Sequence, residues 1–272
     1  MQTILVHISG GQGQSARLQA SLDIARAFSG HITLCQPAPP PIVAGGLAPG
    51  TIWTTVSFVD MEQTARESRE KTKAQVNGIM HGEDVPWDWV DVQGFTQEAF
   101  ASQTALTDLA VVTLSEEDFP FESNEPFLSH VVTKAACPVL AMPQDATGFD
   151  PFGTVLIAWD GSFEAATAVK GALPLLSKAS DIIAVSVGPM DPNKPNLTDL
   201  AQYLSRAGLS ITTDTLAKDG HISDTLMETA KATNASYIVM GAYGHSRLLE
   251  TILGGETNRM LQQNAIPVLF GH

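Results

Sequence analysis

Short apolar runs alternate with stretches of helical periodicity along the whole chain. Ile4 to Ile8 reads as a β-strand, and the segment after it places Leu18, Leu22 and Ala25 on one helical face. A second strand, Ile32 to Cys35, leads into Pro37 to Gly50, whose Pro, Ala and Gly content predicts a long surface loop or lid. Met61, Ala65, Thr72, Val76 and Ile79 mark a long polar helix ending near Gly82. Trp87 to Val92 predicts a third strand, Gln97 to Leu106 a helix, Leu109 to Leu114 a fourth strand and Val139 to Met142 a fifth. An alternating β/α series of this kind predicts an open, doubly wound and mainly parallel sheet with helices on both faces.

After the turn-rich segment Pro143 to Pro151 the series begins again. Thr154 to Trp159 is the first strand, and Ala165, Val169, Leu173 and Leu176 are the buried face of the first helix. Ile182 to Val187, Ser210 to Leu216, Tyr237 to Met240 and Ile266 to Phe270 supply four further strands, with helices at Leu197 to Leu204 and Ile222 to Ala232. The repetition extends to residues: Ala136-Cys137-Pro138-Val139-Leu140 corresponds to Ala265-Ile266-Pro267-Val268-Leu269, and Val92-Gln93-Gly94 to Lys218-Asp219-Gly220. Two tandem α/β domains, 1–147 and 148–272, each with a five-stranded sheet, are expected. Each closing strand would leave a bare sheet edge unless paired, so the two are expected to meet across an internal pseudo-twofold, one chain imitating a dimer. A further homodimer is compatible with this plan.

Charge narrows the range of partners. Fifteen Lys and Arg against twenty-nine Asp and Glu give a formal net charge of −14 over 272 residues, a field that repels nucleic acid and anionic lipid. No apolar run reaches the length a membrane span needs, and the amino terminus enters a strand at once, so membrane insertion is not expected and a cytoplasmic protein is. Cys35 and Cys137 lie in separate apolar runs and read as small buried residues of a reducing compartment.

The candidate chemistry lies near the carboxyl end. Gly241-Ala242-Tyr243-Gly244-His245-Ser246-Arg247 follows the run Tyr237 to Met240, and Gly254-Gly255-Glu256-Thr257 precedes a helical pattern carrying Met260, Leu261 and Ala265. Glycines on both sides of a strand-to-helix loop let main-chain N–H groups turn toward an anion at a helix start, a phosphate cradle in outline. His245 could donate to a phosphate oxygen or stand in solvent, and Arg247 could meet a ligand or pair with Glu250 or Glu256. Asp160, at the carboxyl end of its strand, can accept a ribose hydroxyl or cap the helix beginning near Phe163, with Ser162 competing for the cap. In the first copy Thr113, Glu116, Glu125 and Pro126 stand where the second has Gly241, Gly244, Gly254 and Gly255, and Ser9-Gly10-Gly11 replaces Asp160-Gly161-Ser162. Carboxylates repel phosphate, so only the second copy is expected to bind one.

These residues resemble the universal stress protein family in its tandem form, over essentially the whole chain. The resemblance rests on Gly-x2-Gly-x9-Gly at Gly241, Gly244 and Gly254; the next position, usually Ser or Thr in nucleotide-binding members, is Gly255, with Thr257 nearby as a substitute hydroxyl. It implies an adenine nucleotide alpha hydrolase-like fold of strand order 3-2-1-4-5 and a ligand such as ATP, with Mg2+ as an accompanying ion. It also implies that Asp160 contacts the adenosine part and that the main chain about Val187 meets the adenine. A stress-response regulator or binding module is the function so implied. The alternatives are a slow ATP hydrolase using the same pocket, and a scaffold that has lost its nucleotide.

Other motifs lead nowhere. Gly11-Gln12-Gly13-Gln14-Ser15-Ala16 fits a dinucleotide-binding turn, yet the second strand ends in Cys35-Gln36-Pro37 without an acidic residue for a ribose. Gly244-His245-Ser246-Arg247-Leu248 lacks the closing glycine of a nucleophile elbow. No Gly-x4-Gly-Lys-Ser/Thr occurs, which excludes a P-loop NTPase, and the seven histidines show no metal-ligand spacing.

Overall fold

The computed structural model describes residues 1–38, 52–94, 96–114, 127–242 and 266–272. In chain order the first half contributes β1 (Thr3–His7), α1 (Gln14–Phe28), β2 (His31–Ala38), α2 (Ile52–Met80), β3 (Trp87–Gln93), α3 (Thr96–Ser102) with a 3-10 turn at Gln103–Leu106, β4 (Leu109–Thr113), α4 (Phe127–Lys134) and β5 (Val139–Met142). The second contributes β6 (Thr154–Ala158), α5 (Phe163–Leu176), β7 (Ile182–Val187), α6 (Leu197–Arg206), β8 (Thr212–Leu216), α7 (Ile222–Ala232), β9 (Ala235–Gly241) and β10 (Val268–Gly271).

All of these strands join one sheet in the order β3-β2-β1-β4-β5-β10-β9-β6-β7-β8. Read outward from the middle, each half has the doubly wound order expected of it. Every pairing is parallel except the central one, where β5 and β10 run antiparallel. There Leu140 faces Leu269, Val139 faces Phe270 and Ala141 faces Val268. Since Leu140 and Leu269 also correspond in the repeat, the register places them on a pseudo-twofold axis that relates the halves. The edges each repeat would otherwise expose thus cover one another.

Strand side chains alternate between faces, and the sheet is buried on both. Ile4, Val6, Leu18, Leu22, Val155, Ile157, Ala168 and Leu200 share one apolar core, which places α1, α5 and α6 on the same side. Leu5, Phe100, Val112, Leu128, Val185, Leu226 and Ile238 share the other, beneath α3, α4 and α7. Each core runs uninterrupted across the seam between the repeats.

Three expectations need correction. The long helix does form over 52–80, but its buried face is Thr72, Val76 and Met80, spaced one turn apart, while Ala65 and Ile79 are exposed. The i, i+4 line through Val76 selects Met80 over Ile79, and the residues from Gln63 to Ser68 are exposed all round. Second, β2 continues through Pro37 to Ala38 instead of ending before it. Ile8 N donates to Cys35 O (2.8 Å) and Gly94 N to Ala38 O (2.9 Å), so the ladder alternates and Pro37 addresses the side where β1 has already ended. A residue without an N–H costs no rung there. Third, Cys137 precedes β5 and is half-buried rather than lying inside a strand, whereas Cys35 is fully buried; burial pushes both thiols up to about 12. The helix α4, which the sequence pattern did not reveal, buries Leu128, Val131 and Val132.

Candidate functional site

In a doubly wound sheet ligands bind beyond the carboxyl ends of the strands where the order reverses, which in the second repeat is between β6 and β9. Beyond β6 the chain turns at Asp160-Gly161-Ser162. Asp160 Oδ1 accepts from both Ser162 N (2.9 Å) and Ser162 Oγ (2.5 Å), while Ser162 Oγ accepts from Ala165 N (3.1 Å). Ser162 is therefore the N-cap of α5, and Asp160 braces that cap from an exposed position on the rim. Gly161 takes φ +72°, a left-handed conformation that favours glycine.

Gly241, the last residue of β9, lies against the same turn. A Cβ placed on it would stand 2.4 Å from Ala165 N and 2.6 Å from the Glu164 carbonyl carbon, so a side chain there would displace the first turn of α5. The glycine is needed for close approach, and it brings the end of β9 to a helix start, the end of a helix whose dipole favours anions.

Val187 closes the third side. Main-chain groups along a strand alternate in direction. Trp159 N donates to Val185 O (2.8 Å) and Gly188 N donates to Leu216 O (2.8 Å), so Val185 addresses β6, residues 186 and 188 address β8, and Val187 turns back toward β6. Yet β6 pairs only as far as Ala158 with Val185. Among the described residues, the N–H and C=O of Val187 thus point past the end of β6, on the side where a planar ligand edge could meet them.

A segment with no sequence signal completes the rim. Trp159, only 6 % exposed, donates Nε1–H to Pro195 O (3.0 Å) and so ties residues 189–196 across the end of β6. A Cβ on Gly161 would lie 2.6 Å from Pro195 O and 2.8 Å from Lys194 Cβ, and one on Gly188 would lie 3.2 Å from Lys218 Cβ. The structure thereby brings Asp160, Val187 and Gly241 to one rim and adds Lys194 and Lys218. Gly244, His245, Gly254, Gly255 and Thr257, with Arg247 and the helical pattern at Met260, Leu261 and Ala265, lie outside the described residues.

The corresponding rim of the first repeat is built differently. Arg17 reaches back from α1, 1 % exposed, and donates from Nε to His7 O (2.8 Å), from Nη2 to Ser9 Oγ (2.9 Å) and from Nη1 to Thr113 Oγ1. Its guanidinium joins the ends of β1 and β4, the places that Asp160 and Gly241 hold in the second repeat. Register makes Pro37 the counterpart of Val187, since Pro37 lies two residues beyond Cys35, which pairs with His7, as Val187 lies two beyond Val185, which pairs with Ala158, and proline offers no N–H. The glycine turn that resembled a dinucleotide fingerprint has a packing role: Gly13, at φ +78°, precedes α1 where a Cβ would press on Thr113 Cγ2 at 2.9 Å.

Fold and rim together define an α/β protein of two doubly wound halves, with Asp160, Val187 and Gly241 gathered at one rim of the second. Residues 151–270 match the model of the universal stress protein family. A universal stress protein from Synechocystis sp. is 27% identical over 151 residues, covering 52% of this chain and 49% of that protein, so the chain spans about half the length of that curated relative. A universal stress protein from Archaeoglobus fulgidus DSM 4304 shares the fold at TM-score 0.73 and 14% identity, over 98% of this chain and 94% of its own. A protein of unknown function from Pseudomonas aeruginosa PAO1 does so at TM-score 0.54 and 18% identity, over 99% and 92%. These comparisons indicate the universal stress protein family, whose model matches the second repeat.

Proposed function

We propose that the protein binds an adenine nucleotide, ATP or a close relative, at the carboxyl rim of its second repeat, and that occupancy changes how it meets partners in a stress response. The observation carrying this reading is the pair of main-chain groups on Val187, directed into a crevice that Asp160 borders on one side. An N–H and a C=O side by side suit the donor and acceptor on an adenine edge, and the Asp160 carboxylate suits a ribose hydroxyl. Gly241 and the first turn of α5 would meet the phosphates through N–H groups, Gly244 and Gly254 would contribute as the family resemblance implies, Thr257 would supply the hydroxyl that Gly255 lacks, and His245 would donate to a phosphate oxygen. A Mg2+ ion would travel with the phosphates.

Titration calorimetry of nucleotide-stripped protein with ATP, ADP and AMP tests it; one site per chain is expected, and no heat with any of the three overturns it. Val187→Pro is the sharper variant, because the first repeat already tolerates proline at the corresponding place. Loss of one hydrogen bond of about 1–1.5 kcal/mol predicts roughly tenfold weaker binding with an unchanged circular dichroism spectrum.

A further inference from the structure

We infer that Lys194 is an affinity-determining residue of this crevice, supplying the positive charge that offsets the anionic tail of a nucleotide. The inference rests on the nucleotide reading above. In a protein of net charge −14, the rim around α5 is itself acidic: Asp160, Glu164 and Asp191 all stand along it. Main-chain N–H dipoles alone would have to overcome those carboxylates, whereas one ammonium within the crevice offsets a full charge.

The stem of Lys194 starts beside that rim. Residues 189–196 are fixed from both ends. Trp159 Nε1–H bonds Pro195 O (3.0 Å), Lys194 N donates to Asp191 O (3.1 Å), and Asp191 Oδ1 accepts from Asn193 N (2.9 Å) and Asn193 Nδ2 (3.1 Å). Asn196 then begins α6 with a reciprocal cap, accepting from Thr198 N (2.8 Å) and Asp199 N (3.2 Å) while Asp199 Oδ2 accepts from Asn196 N (2.8 Å). Gly161 lets this segment cross, since a Cβ there would take the place of Lys194 Cβ and Pro195 O. The half-buried stem of Lys194 therefore starts at the Asp160-Gly161-Ser162 turn, next to the helix start that Gly241 abuts. Lys218 starts on the other side, against Gly188 and beyond Val187, at the base end of the crevice.

Charge at the phosphate end should discriminate ligands by phosphate number. The full-length, nucleotide-stripped protein is titrated with ATP and with adenosine, for the native chain, Lys194→Met, Lys194→Arg and Lys218→Met, at low and moderate salt. Lys194→Met keeps the stem and removes the charge; it is expected to weaken ATP about five- to tenfold, leave adenosine within about twofold, and flatten the salt dependence of ATP binding. Lys194→Arg restores most of the loss. Lys218→Met leaves the ratio of ATP to adenosine affinity at the native value. Equal weakening of ATP and adenosine by Lys194→Met, no weakening at all, or the same change of ratio in Lys218→Met would overturn the assignment. Failure of the native chain to bind ATP would instead overturn the nucleotide reading itself.

Discussion

His7 and Arg17 show how much of the first repeat's crevice has been turned over to structure. His7 is buried, stacked on Phe127 at 4.3 Å between centroids and edge-on to Phe100 at 5.3 Å, and its Nε2 has no hydrogen-bond partner among the described residues. Burial, with the nearby Arg17 charge adding to it, drives its pKa well below the ordinary value of 6.5. The native state thus binds fewer protons than the unfolded chain. Stability attributable to this residue is intact above pH 6.5 and declines as pH falls below it, by at most about 1.4 kcal/mol per pH unit. Denaturant titrations between pH 5 and pH 7 should show that slope in the native protein and its reduction in His7→Phe, a ring that fits the same aromatic stack; an unchanged slope would exclude His7 as its source. Arg17→Met should cost about 2–4 kcal/mol, because Ser9, Thr113 and the His7 carbonyl each lose a charged donor in a dry site. Nucleotide affinity in the second repeat should be untouched by it, since the two rims are separate, and calorimetry beside chemical denaturation distinguishes the two effects.

At the level of elements, the crevice depends on how closely α5 approaches β9. Gly241→Ala places a methyl group 2.4 Å from Ala165 N, so it should destabilise the fold by about 1–3 kcal/mol and weaken nucleotide binding through a displaced α5. A melting temperature equal to the native one would show that the approach is looser than it looks. The strand at Ile182–Val187 and the helix at Ile222–Ala232 fall where the apolar run and the helical spacing place them, because the strand is covered on both faces and the helix buries Ser223, Leu226, Met227 and Ala230. Legibility fails where tertiary context decides. Pro37 reads as a strand breaker, yet it occupies a ladder position past the end of β1, where an N–H would make no rung. Ile79 and Met80 are equally apolar, and only the packing of α2 chooses between them. In the site, the Asp160 and Gly241 positions are visible as a strand-end carboxylate and a glycine after an apolar run. The segment around Lys194 is not: it lies far along the chain from Asp160, and its tether, Trp159 to Pro195, joins two residues with no shared motif. Arg17 is equally hidden, since a lone arginine within a helix pattern ordinarily reads as a solvated side chain.

For the molecule as a whole, the seam between β5 and β10 is what makes the repeats one body. The repeat itself makes it predictable, because two identical bare edges in one chain have each other as the nearest partner. Expressed alone, residues 148–272 would uncover the outer edge of β10. This fragment is expected to pair with itself through β10, with Leu269 on the axis as Leu140 and Leu269 are in the full chain, giving a dimer in sedimentation analysis. Leu269→Asp should return it to a monomer or unfold it; a stable, monomeric native fragment would show that the edge tolerates water.

The antiparallel seam also sets the direction in which each half looks. Strands of the first half climb while those of the second descend, so the two carboxyl ends sit at opposite poles of one continuous sheet, the Arg17 guanidinium at one and Asp160 at the other. Like a rod with a socket at one tip and a plug at its far tip, the chain is polar despite its internal symmetry, and a small molecule seated in the socket leaves the plugged pole free.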